Sequence, residues 1–143
     1  MTIAAILSGK GNEVMTVTTT TSVMQAAAIL AERRIGALPV VEGDQVVGIF
    51  SERDVIHALQ AHGAAALETA VGAAMTAPAI TVKPDDSVLG ALSLMTRRRI
   101  RHLPVVAANG ALIGFVSIGD LVKYRIDRIE ADAAAMRDYI QSA

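Results

Sequence analysis

The chain repeats itself. Leu38-Pro39-Val40-Val41 returns as Leu103-Pro104-Val105-Val106, Val17 returns as Val82, and Val23 returns as Val88, each 65 residues further on. Past one extra turn residue the spacing becomes 66, and Gly48, Ser51 and Asp54 return as Gly114, Ser117 and Asp120. A repeat of this period in 143 residues leaves room for two units and little else. Neither unit can bury a sheet face alone, so the two are expected to pack sheet to sheet about a pseudo-twofold axis.

Each unit reads helix, strand, helix, strand, strand, helix. Thr2 is placed to cap a short helix containing Ile3, Ile6 and Leu7, which Gly9 to Asn12 ends. Val14 to Thr19 alternates as a strand would. Ser22 and Gln25 have the spacing of a capping box before a helix that runs to Arg33-Arg34, with Val23, Ala26, Ala27 and Leu30 on one face. Two apolar runs flank Glu42 to Gln45 as a hairpin, and Ser51 opens a helix whose stripe is Val55, Ile56 and Leu59. The Ala-rich segment from Gly63 to Thr69 is weakly patterned and reads as the link between units.

The second unit follows the same order. Val71 to Met75 is a short helix and Ala79 to Val82 a strand, and Asp85 or Asp86 is placed to cap a helix carrying Val88, Ala91, Leu92 and Met95. A hairpin then turns at Ala108-Asn109-Gly110. The expected class is α+β, one module with units at 1–62 and 71–125, a linker at 63–70 and a terminal helix at 126–143. Val122, Ile126, Ile129, Ala133, Met136 and Ile140 are spaced four, three, four, three, four, a seam-like stripe. It can lie on its own module or pack across a dimer.

Composition removes several function classes. A net charge of -1 argues against a polyanion-binding surface, and 3% aromatic residues leave little for base stacking, so no nucleic-acid partner is expected. There is no cysteine, hence no disulfide framework or thiolate metal site, and His57, His62 and His102 lack the spacing of a zinc motif. No apolar run approaches a membrane span of about 18 residues, and the N-terminus has no signal-peptide pattern. A cytoplasmic or equivalent reducing compartment is the default expectation, with no membrane partner.

The repeated elbow, Gly-apolar-apolar-Ser-x-x-Asp, ends a strand and starts a helix. Ser51 with Asp54, and Ser117 with Asp120, have the spacing of helix caps, which need no ligand. A helix start facing a cleft can also hold an anion, and a carboxylate there can accept hydrogen bonds from a ribose diol. Phosphate beside a carboxylate needs cations. Arg53 lies inside the first elbow, and Arg101 and His102 stand where the chain enters a strand next to the second; the matching first-unit positions are Gly36 and Ala37. Two unequal sites are expected.

The paired Leu-Pro-Val-Val hairpins, each followed by the Ser-x-x-Asp elbow, resemble the cystathionine β-synthase (CBS) domain. Two in tandem resemble a CBS-domain pair, or Bateman module, from about Ile3 to about Arg125. The resemblance implies a fold of two β-α-β-β-α motifs and a regulatory module for adenosine nucleotides. By that pattern Asp54 and Asp120 hold ribose hydroxyls and Ser51 and Ser117 lie near ribose or phosphate. Thr16, Ile80 and Thr81 face adenine, and Arg53, Arg101 and His102 reach phosphate. Residues of one half can complete the site of the other. Stand-alone pairs of this kind usually dimerise into a disc of four motifs.

The resulting expectation is a sensor of AMP, ADP, ATP, NAD or S-adenosylmethionine, with no required cofactor, acting on a protein partner as a homodimer. The alternative is a ligand-independent interaction module whose elbows are only helix caps. No nucleophile stands with a base and no metal set is present, so an enzyme is not expected.

Overall fold

The computed structural model describes residues 1–11 and 13–142. Asn12, in the stretch expected to stop the first helix, and Ala143, at the end of the expected terminal helix, lie outside the described residues. The elements run α1 (Ile3–Lys10), β1 (Val17–Thr18), α2 (Val23–Arg33), β2 (Ala37–Glu42), β3 (Gln45–Ser51), α3 (Glu52–His62), a 3-10 helix (Gly63–Glu68), α4 (Val71–Ala74), α5 (Val88–Arg98), β4 (His102–Val106), β5 (Leu112–Ser117) and α6 (Ile118–Ser142). No helix among the described residues is long and apolar enough to cross a membrane.

Both hairpins form where they are expected. β2 and β3 pair antiparallel with Leu38 opposite Phe50, and β4 and β5 repeat this with Leu103 opposite Val116. The α+β class and the tandem arrangement hold. The opening strands of the two units are much shorter than their alternation suggests. Of Val14 to Thr19 only Val17–Thr18 pairs, parallel to β2, because a turn closes immediately behind it, with Thr21 N donating to Thr18 O. Of Ala79 to Val82 only Val82 bridges β4, opposite Val105. The chain then turns through Lys83 to Asp86, where Asp86 Oδ2 accepts from Lys83 N at 2.8 Å.

That turn also occupies Asp86, so the cap of α5 is Ser87, whose Oγ accepts from Gly90 N at 2.9 Å. Ser87 is the repeat partner of Ser22, which forms the full capping box with Gln25. The segment expected to be a patternless link is a 3-10 helix, anchored by fully buried Ala66. α3 departs from its expected stripe. Val55 packs on the core, but Ile56 is 64% exposed and Leu59 37%, so this face is not covered by its own module.

The two cores exchange their leading helices. Ile3, Ile6 and Leu7 of α1 pack with Val82, Val88, Met95, Leu103 and Val116, all from the second half. Val71 of α4, with Ala74 and Met75 beside it, packs instead with Val17, Val23, Leu38 and Phe50 of the first half. Thr2 sits at the α1 N-cap but its side chain makes no capping bond. The free N–H groups go across: Ile3 N donates to Asp86 O at 3.0 Å and Ala4 N to Pro84 O at 2.9 Å.

Two glycines make the exchange possible. A Cβ on Gly48 would lie 2.7 Å from Met75 Sδ and 2.9 Å from Thr76 O, and one on Gly114 would lie 2.6 Å from Leu7 Cδ2. Each exchanged helix therefore rests on the bare backbone of a hairpin's second strand. Ile49 and Thr76 exchange backbone hydrogen bonds of 2.9 and 2.8 Å there, tying the halves together beside the first elbow.

Candidate functional site

Both elbows form complete reciprocal caps. Ser51 N donates to Asp54 Oδ2 at 2.8 Å while Asp54 N donates to Ser51 Oγ at 3.3 Å. Ser117 and Asp120 repeat the pair at 2.8 and 3.1 Å. The caps thus aim both carboxylates at the junction between halves, where two clefts open.

The first cleft, of about 200 Å³, is lined by the first elbow (Ser51, Glu52, Arg53, Asp54), by Thr76, Pro78, Ala79 and Ile80, and by Arg99 to His102. Asp54 is nearly buried, at 8% exposure. Its Oδ1 accepts from Thr76 Oγ1 at 2.9 Å and its Oδ2 from Ser51 N and Oγ. A carboxylate has about four lone-pair positions, so one remains free on Oδ1. The arrangement is a fixed acceptor, an apolar wall and several cations in one concavity.

The second cleft, of about 830 Å³, combines the second elbow with the opening segment of the first unit: Ser117, Asp120 and Phe115 face Glu13, Val14 and Met15, with Arg33 and Arg34 on the rim. The unit exchange crosses the clefts. Each elbow is completed by the extended segment of the other half, Ile80 with Asp54 and Met15 with Asp120.

The carboxylates differ in their partners. Lys10 Nζ donates to Asp120 Oδ2 at 2.6 Å and to Phe115 O at 2.8 Å. Burial pushes the Asp120 carboxyl up, but the Lys10 ammonium and the Ser117 donors outweigh it and hold the group below the ordinary carboxylate range. This is the one ion pair among the described residues. Asp54 receives hydroxyl and amide donors and no cation.

His102 stands between the clefts and lines both. Its ring stacks on Phe115 with centroids 5.6 Å apart and faces Gly36, where a Cβ would meet its Cε1 at 3.1 Å. Burial pulls its pKa down, and Arg101 and Lys10 pull it further, against weaker opposition from Asp120 and Glu52. The shift favours the neutral ring, which donates from one nitrogen and accepts at the other.

Of the residues singled out in the sequence, Ser51, Arg53, Asp54, Ile80, Arg101 and His102 meet at the first cleft, and Ser117, Asp120 and His102 at the second. Thr16 and Thr81 lie apart from both. Thr16 lines a separate surface depression with Val41 and Asp44, and Thr81 is exposed. Glu13, Val14 and Met15 line the second cleft and Ala79 and Ile80 the first, so each extended segment leaves the cleft wall one residue before its threonine.

Several polar residues at the clefts escaped the sequence reading, among them Lys10, Arg34, Thr76 and Arg99. Thr76 and Lys10 carry no motif and reach the aspartates only through the fold. Arg34 and Arg99 are repeat partners and, among the described residues, the non-glycine residues with positive φ, 52° and 55°, each at a cleft. That coincidence under the 65-residue repeat was the available signal.

Comparison with known proteins identifies the family and the fold. The CBS domain family model matches residues 11–61 and 71–127. The mitochondrial CBS domain-containing protein CBSX3 of Arabidopsis thaliana is 36% identical over 98% of this chain and 72% of its own. The crystal structure of the CBS-domain protein ATU1752 from Agrobacterium tumefaciens superposes with a TM-score of 0.82 at 38% identity, covering 87% of this chain and 99% of that one. CBSX2, solved in complex with AMP, superposes at 0.75 with 27% identity, covering 88% and 96%. The chain belongs to the CBS domain family and carries two copies of the domain in tandem.

Proposed function

We propose that this chain is a non-catalytic regulatory module that binds adenosine nucleotides, AMP, ADP, ATP or NAD, in its two clefts and passes their occupancy to a protein partner. The observation that carries the reading is the first cleft. Asp54 presents a fixed acceptor for ribose hydroxyls, Ala79 and Ile80 form an apolar wall for a base, and Arg53, Arg99 and Arg101 supply positive charge for phosphate. The AMP complex of the similar CBSX2 supports the ligand class. Because each cleft is built from both halves, ligand binding can change their relation only through a difference in affinity between two arrangements.

The module acts as a homodimer in this reading, supported by Ile56 and Leu59 of α3 and Val122 and Ile126 of α6, which stay exposed on a single chain. A thermal-shift panel with AMP, ADP, ATP, NAD and S-adenosylmethionine tests the ligand. A nucleotide at 100 times its dissociation constant adds about 2.7 kcal/mol. If none of the five moves the melting temperature, the sensor reading fails.

The alternative, an interaction module without ligand, has its own support: both elbows form complete reciprocal caps within the chain, and Asp120 is already paired with Lys10. Asp54→Ala and Asp120→Ala separate the readings. Loss of nucleotide binding in a folded variant favours the sensor, whereas lowered stability with unchanged binding favours caps alone.

A further inference from the structure

α6 runs for 25 residues, yet only its first turns touch the module. Leu121 is fully buried and Tyr124 packs against the second core. From Ile126 to Ser142 every residue except Ala134 is exposed. Most helical stability in proteins comes from packing an amphipathic face against a neighbour. α6 carries a continuous apolar stripe: Val122, Ile126, Ile129, Met136 and Ile140 are 41%, 48%, 51%, 59% and 65% exposed. At 3.6 residues per turn, this stripe lies about 130° round the helix from Leu121 and Tyr124. The module therefore holds α6 by one side and presents the stripe outward.

The flanking charges choose among occupants. With Ile126, Ala133 and Ile140 as the first core position of each heptad and Val122, Ile129 and Met136 as the second, the flanks are Arg125 and Asp132 on one side and Lys123, Glu130 and Arg137 on the other. In a parallel pair of identical helices in register, Arg125 meets Glu130 of the second copy and Asp132 meets Arg137 of the second copy. Both contacts are attractive, and twofold symmetry repeats each of them. The charge pattern fits a second copy of this helix.

We propose that α6 pairs with α6 of a second copy as a parallel, in-register two-stranded coiled coil over residues 122–140, extending the dimer contact beyond the CBS modules. This rests on the homodimer reading and adds its orientation and its seat. Sedimentation velocity on the full chain tests it with Ile129→Asp/Met136→Asp, side chains exposed within one chain, so the melting temperature of the monomeric module stays near wild type. Dimer affinity is expected to fall about tenfold or more. Glu130→Arg is expected to weaken the dimer and Arg125→Glu in the same chain to restore it.

Because the chain has no cysteine, single-cysteine variants report cleanly which face forms the seam. Ala133→Cys should oxidise to a covalent dimer, while Ala131→Cys, on the opposite side of the helix, should not. A wild-type chain that is monomeric at all concentrations overturns both the homodimer and the coiled coil. A wild-type dimer that is indifferent to Ile129→Asp/Met136→Asp, or that fails to cross-link through position 133, overturns the coiled coil alone.

Discussion

Lys10 Nζ and Asp120 Oδ2, 110 positions apart in the chain, lie 2.6 Å from each other at the mouth of the second cleft. The contact exists because α1 belongs to the core of the second half. Asp120 has its pKa depressed in the folded state, so its contribution to stability is present above the unfolded carboxyl value and is lost as pH falls through the folded one. The melting temperature of wild type is expected to exceed that of Asp120→Asn at pH 7, since asparagine can still accept from Ser117 but cannot pair with Lys10. The gap should close as pH falls below about 4. A gap that is independent of pH would remove the ion pair as its cause.

Thr76 ties the first elbow to the segment that forms the apolar wall of its cleft, through 2.9 Å to Asp54 Oδ1. Thr76→Val keeps the shape and removes the donor. It should cost about 1 kcal/mol of stability, because the bond is charge-assisted but partly exposed. Nucleotide binding at the first cleft should weaken while the second is unaffected. Calorimetric titration of the variant checks this, and equal losses at both clefts would contradict it.

Arg99 holds a left-handed backbone conformation, φ 55°, that a glycine adopts without penalty. Arg99→Gly is therefore expected to raise stability by about 1 kcal/mol in urea unfolding. Its guanidinium lines the first cleft, so the same variant should lose nucleotide affinity by about tenfold, or 1.4 kcal/mol. Opposite signs in the two measurements would mark a residue kept for binding at the expense of the fold. A stabilised variant with undiminished affinity would make it a helix end only.

Gly48 and Gly114 are repeat partners with different tolerances. At Gly48 the added Cβ meets backbone, Thr76 O at 2.9 Å, which cannot move without breaking the Ile49 bridge. At Gly114 it meets only the methyls of Leu7, 2.6 and 2.9 Å away. Gly48→Ala should cost about 1–3 kcal/mol, and Gly114→Ala less, because a side-chain tip can yield. Denaturant unfolding ranks them, and the reverse order would show that the exchanged helices are not held as described.

Residues whose constraints are local could be read directly from the chain. The Ser51 and Ser117 caps, the two hairpins and the Ser22 box depend on spacings of a few residues, and the 65-residue repeat made them visible twice. The extended segments were harder. Period-2 alternation marks Val14 to Thr19 and Ala79 to Val82 as extended but cannot say how many rungs find a partner, nor that the cleft walls end at Met15 and Ile80, one residue short of Thr16 and Thr81.

By itself the sequence determined that there are two similar units, where their hairpins turn, and which aspartates the caps would orient, because hydrophobic period, turn chemistry and capping act between near neighbours. Only the tertiary structure decided that α1 and α4 change places between cores, that each elbow faces the other unit's extended segment, and that Lys10 reaches Asp120 while Thr76 reaches Asp54. Those outcomes follow from which half offers a complementary apolar surface and an open glycine backbone, a choice made between residues far apart in the chain.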